Sequence, residues 1–147
     1  MKKIGEYTAR GTVAHQVTQQ ISLFDGRFDT GYRVVAFEVG PQQITGNHEV
    51  AGTLYMDSDG AGNNDWDWSD NIQIAWSGCT NDNDGMRGPA YTVVDEDNLI
   101  VEDLFIRGHS SDGSFAINYI IKFEKYEFSE WRGALAMVRS KSQNVGS

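Results

Sequence analysis

The chain has 147 residues, one domain's worth, enough to bury a core without metal or disulfide staples. Its 12% aromatic content and 16 glycines against two prolines favour strands joined by tight turns over a helical bundle. With 21 acidic against 12 basic side chains, a net charge of -9 repels phosphate backbones and anionic lipid, so neither nucleic acid nor a membrane is expected as a direct ligand.

The start, Met1-Lys2-Lys3-Ile4, carries the positive charge of a signal peptide without the apolar stretch that follows one, so no export signal is expected. No window approaches the ~20 apolar residues that cross a bilayer. Alternation and turn punctuation give eight candidate strands. The first covers residues 5–14, with Tyr7, Ala9 and Val13 on one face against Glu6, Thr8 and Arg10 on the other. Residues 17–24 end at Asp25-Gly26, and residues 32–39 at Gly40-Pro41, both turn sequences. Residues 49–56 put Val50, Leu54 and Met56 on one side, and residues 71–76 alternate through Ile72, Ile74 and Trp76. The last three are residues 91–94, 99–107 and 115–126. In the final strand Phe115, Ile117, Tyr119, Ile121 and Phe123 share one face, while the other is mostly polar and broken by Ile120. Asp112-Gly113 predicts a hairpin tip that makes the last two strands antiparallel neighbours.

Ser129 to Arg132 has the form of an N-cap and first turn, followed by a broken apolar stripe of Leu135, Met137 and Val138. This predicts a helix over about 129–140, too short to stand alone in water. The expected fold is all-β: a single domain over residues 1–147, an antiparallel β-sandwich of about eight strands with a short C-terminal helix.

No catalytic constellation stands out, and the chain is expected not to be an enzyme. His15, His48 and His109 are widely separated, with no Ser or Cys motif beside them. Glu102 and Asp103, with Glu124, are the acids a hydrolytic cleft would need, but adjacent residues on a strand point to opposite faces. Cys79 cannot form an internal disulfide and has no neighbouring base, which fits a structural or incidental thiol and requires no oxidising compartment. Asp57, Asp59 and Asp65 lie in a glycine-rich acidic loop suited to a hard cation. Read as a calcium loop from Asp57, however, position five is Ala61 and position twelve Trp68, so the bidentate acid is missing. No metal or other cofactor is therefore expected, calcium being the one alternative. Trp66 and Trp68, two residues apart, would point the same way in an extended segment, either to stack on sugar rings or to fill a pocket between subunits.

The runs Asp97-Asn98-Leu99-Ile100-Val101-Glu102-Asp103-Leu104, Ile117-Asn118-Tyr119-Ile120-Ile121 and Gly133-Ala134-Leu135-Ala136-Met137-Val138 resemble the ends of small structural proteins from bacteriophage particles. The resemblance covers the final third of the chain. It implies a virion role, as a capsid, decoration or other particle-surface protein, with a β-sandwich body often of jelly-roll type, assembled in the host cytoplasm from copies of itself and other virion proteins. The expected contact residues are Tyr7, Trp66, Trp68, Trp131, Leu135 and Met137. The alternative is a carbohydrate-binding module that uses Trp66 and Trp68, with calcium ordering the acidic loop.

Overall fold

The computed structural model describes residues 2–58, 65–82 and 87–128. The strands among them are β1 (Lys2–Val13), β2 (Thr18–Ser22), β3 (Thr30–Pro41), β4 (His48–Tyr55), β5 (Gln73–Asn81), β6 (Arg87–Val94), β7 (Asp103–Ser110) and β8 (Ile117–Glu127). They form two antiparallel sheets, one of three strands in the order β1-β8-β3 and one of five in the order β2-β7-β4-β5-β6. Each of the eight segments picked out by alternation overlaps one of these strands, with ends that differ by several residues in places.

The faces follow the pattern. On β8, Ile117, Tyr119, Ile121 and Phe123 are buried while Ile120 stands exposed on the opposite side. They join Val13, Val34, Phe37 and Val39 from the same sheet to meet Val50, Leu54, Ile74, Ala75, Cys79, Leu104 and Ile106 of the other, so one core lies between the sheets. Burial of such side chains contributes about 1.5–3 kcal/mol each. At the centre of the five-stranded sheet Gly52 faces Gly108 across the β4–β7 pairing. A Cβ on Gly52 would stand 2.8 Å from Val39 Cγ1, and one on Gly108 2.8 Å from Val13 Cγ1. These two glycines let side chains of the smaller sheet reach the backbone of the larger.

Three expectations need correction or limits. β7 and β8 are not hydrogen-bonded neighbours: the Asp112-Gly113 turn carries the chain from the larger sheet to the smaller. A turn sequence specifies a reversal, not which edge the next strand joins, and both strands have an apolar face that a core between sheets accepts. Ile72, Ile74 and Trp76 do not share a face. A register shift opposite Leu54/Tyr55 inserts an extra residue, so both Ile74 and Ala75 turn to the core, while Ile72 packs with Tyr55 and Phe105 in a separate cluster. The helix expected over 129–140 lies outside the described residues.

Candidate interaction surfaces

The outer face of the five-stranded sheet carries the densest aromatic group. Pairing of Gly78 with Tyr91 and of Trp76 with Val93 places these side chains on one side. The loop before β5 folds back over them. Trp66 lies near-parallel to Tyr91, with ring centroids 5.9 Å apart, and Trp68 likewise at 6.3 Å. Trp68 also meets Trp76 edge-on at 6.1 Å. Gly78 makes this possible, because the Trp66 ring sits only 3.5 Å from where a Cβ would be. Trp66 is 38% and Trp68 64% exposed, so the cluster presents aromatic surface to solvent.

One buried amide holds that loop down. Gln73, 3% exposed, accepts from the Asp67 N–H at 3.0 Å and from Trp76 Nε1–H at 2.8 Å, and its own Nε2 donates to the Asp65 carbonyl at 3.1 Å. Asp67 and Asp70 close the turns: Asp67 Oδ1 accepts from Ser69 N–H and Oγ, and Asp70 Oδ1 from Ile72 N–H. The Ser69 bonds hold the Asp67 carboxyl below its ordinary range. Beside Trp66 is a shallow depression lined by Ala51, Thr53, Tyr55, Arg107 and His109.

The second surface is the flank of the three-stranded sheet. Tyr7, 53% exposed, meets Tyr32 edge-on at 6.2 Å. On the other face of β1, Glu6 is paired directly with Glu124 of β8, and Lys3 bridges the two acids at 2.6 and 2.8 Å. That raises the Lys3 pKa and lowers that of Glu124. At the far end Asp25 accepts from Lys125 Nζ at 2.8 Å, from the Thr30 hydroxyl and from the Arg27 N–H, tying the β2–β3 loop to β8. The Lys125 bond is the main reason the Asp25 pKa falls to about 2.

Of the expected contact residues, Trp66 and Trp68 converge on Tyr91, Tyr7 stands apart on the other sheet, and Trp131, Leu135 and Met137 lie outside the described residues. Asp57 and Asp65 are described and Asp59 is not. Among the described residues no three His, Cys, Asp or Glu side chains gather so that they could hold a metal ion. Cys79 is buried, and its thiol donates to the Val39 carbonyl. His15 and His109, far apart in sequence, lie 4.7 Å apart between ring centroids, and His15 Nδ1 accepts from the Ser110 N–H. Sequence reasoning missed Tyr91 and Gln73; one signal for Gln73 was a lone polar residue between Ile72 and Ile74. Compared with known proteins, the chain matches no family model, no curated protein and no solved structure. No helix among the described residues is long and apolar enough to cross a membrane.

Proposed function

We propose that the chain is a non-enzymatic structural component of a virus particle, a capsid, decoration or other virion surface protein that assembles in the host cytoplasm by symmetric association with copies of itself and other virion proteins. The observation that supports this most is strand order. β1 pairs with β8, β2 with β7 and β4 with β5, a nested set that folds the chain as one long hairpin rolled into two layers. That nesting supports reading the body as a jelly roll in which β6 is added to β5 rather than to β3. Jelly rolls serve viral capsids and lectins alike, so that reading suits a coat protein and a sugar-binding module equally. Light scattering and electron microscopy of the concentrated full chain test the reading: defined multimers are expected, and a chain that stays monomeric refutes it.

The aromatic cluster favours a second reading, in which the same body binds carbohydrate. Trp66 and Trp68 supply stacking faces, and Thr53, Arg107 and His109 beside them supply hydrogen-bonding groups. Binding on a glycan array that is lost in Trp66→Ala would establish it; no binding by the wild type would remove it.

A further inference from the structure

Four strands end the two sheets, and three of them are guarded. β2 has only five residues. β6 includes Pro89, which has no backbone N–H to donate. β3 is sealed from the larger sheet: its Val39 N–H donates to Ser77 Oγ at 3.2 Å, its Val39 carbonyl accepts from Cys79 Sγ at 3.4 Å, and Tyr32 exchanges two 2.8 Å backbone hydrogen bonds with Ile100. It also has a register shift between Val34 and Ala36. β1 is different. It is twelve residues long, pairs without interruption from Gly5 to Val13, and among the described residues its other edge has no backbone partner along that stretch. Its guards, Lys2, Lys3 and the shift at Ile4, protect only the beginning.

We infer that the β1 edge pairs antiparallel with β1 of a second copy about a two-fold axis at Thr8, joining two three-stranded sheets into one of six. The inference rests on the self-association reading in needing a second copy, and not on a virus particle. Register decides it. Opposed residues must share a face, so the axis must pass through a residue position rather than between two. An axis at Glu6 opposes Glu6 to its own copy, and one at Arg10 does the same with arginine. An axis at Tyr7 or Ala9 sets each charge against threonine or isoleucine. The Thr8 axis alone in this central stretch sets Glu6 against Arg10 twice, with Thr8 facing Thr8. Among the described residues Arg10 has no ion pair, whereas Glu6 stands beside Glu124 with Lys3 shared between them. An arginine from the second copy relieves that excess of acid.

The inward face agrees. The same register sets Tyr7 against Ala9 and Gly5 against Gly11. Tyr7 is half exposed, and Ala9, Ile21 and Leu23 are only partly buried where the core opens between β1 and β2. A second copy covers this flank with a tyrosine from the other side.

The test is sedimentation of the full chain and two charge reversals. Glu6→Arg gives cations at both positions and Arg10→Glu gives acids at both, so each variant alone opposes like charges twice and weakens the dimer by about tenfold or more. Mixed together, the two variants restore both opposite-charge pairs and form a heterodimer, as does the E6R/R10E double variant with itself. That rescue also shows that the single variants fold. A wild type that remains monomeric overturns the inference, as does a dimer unaffected by the reversals or one that the mixture fails to restore. Multimers insensitive to the reversals would remove the β1 contact while leaving self-association by another surface standing.

Discussion

Replacing Gln73 with leucine tests how the aromatic face is held. The substitution keeps side-chain volume close and removes three hydrogen bonds: those from Asp67 N–H and Trp76 Nε1–H, and that to the Asp65 carbonyl. The losses are unequal. Trp76 is 5% exposed and its indole N–H donates to Gln73 in a buried bond, so losing that acceptor costs about 1–3 kcal/mol. Asp65 and Asp67 are exposed, and their backbone groups regain water, which limits each of those losses to about 0.5–1.5 kcal/mol or less. The expected total is about 1–6 kcal/mol, read from urea unfolding followed by far-UV circular dichroism. The local consequence is more specific. With Gln73 gone, residues 65–72 lose their tie to β5, so amide hydrogen exchange there should accelerate more than in β7 or β8. The near-UV signal of the Trp66–Tyr91–Trp68 group should fall as well. A change below about 0.5 kcal/mol, the usual effect of a surface substitution, with unchanged exchange at Asp67, would refute the assignment.

Other consequences are direct. Gly52→Val drives a branched side chain into Val39 and Phe37 and should destabilise by about 1–3 kcal/mol, seen as a lower urea midpoint. Phe37→Ala empties a fully buried site and should cost about 3–5 kcal/mol, enough to unfold a marginal domain. Asp25 has a pKa lowered in the fold from 3.8 to about 2, so its contribution is present above pH ~4 and is lost as pH falls toward 2. Because the pair is near the surface, the effect is roughly 1 kcal/mol at most, and Asp25→Asn should flatten that part of the acid titration of stability. Ending the chain after Phe128 should leave the eight strands folded but block multimer formation if Trp131, Leu135 and Met137 serve as contacts; unchanged multimers would clear them of that role.

What was legible in the sequence was which residues face inward, because a strand's period of two records burial directly. Ile117, Ile121 and Phe123 on one side and Ile120 on the other came through without any knowledge of neighbours. Partner choice is not recorded that way. The Asp112-Gly113 turn promised a hairpin, yet an apolar strand gains as much by crossing to the opposite sheet, and only the competition for edges among all eight strands decides. A single inserted residue was equally invisible: at Ile74 it sends Trp76 outward to meet Trp68. The aromatic pair was visible in Trp66 and Trp68, but their meeting point at Tyr91 depends on the β5–β6 register, which no local pattern encodes. β6 was expected to begin at Tyr91; it begins at Arg87 and includes Pro89, which an edge strand tolerates and an interior strand does not.

The two surfaces belong to different sheets and share no side chain: the aromatic group lies over β5 and β6, whereas Glu6, Thr8 and Arg10 lie on β1. Substitutions at separate sites without common partners act additively, so Trp66→Ala and Arg10→Glu can be combined to ask which surface does what. A protein that uses β1 to join copies and the aromatic face to hold a sugar should lose dimerisation in one variant and binding in the other, with both lost in the double variant. A further assembly contact at the aromatic face predicts otherwise: Trp66→Ala should leave the β1-linked dimer intact but stop growth beyond it. Size distributions of the four proteins, wild type, two singles and the double, therefore separate a lectin-like dimer from a shell component whose two sheets each carry one contact.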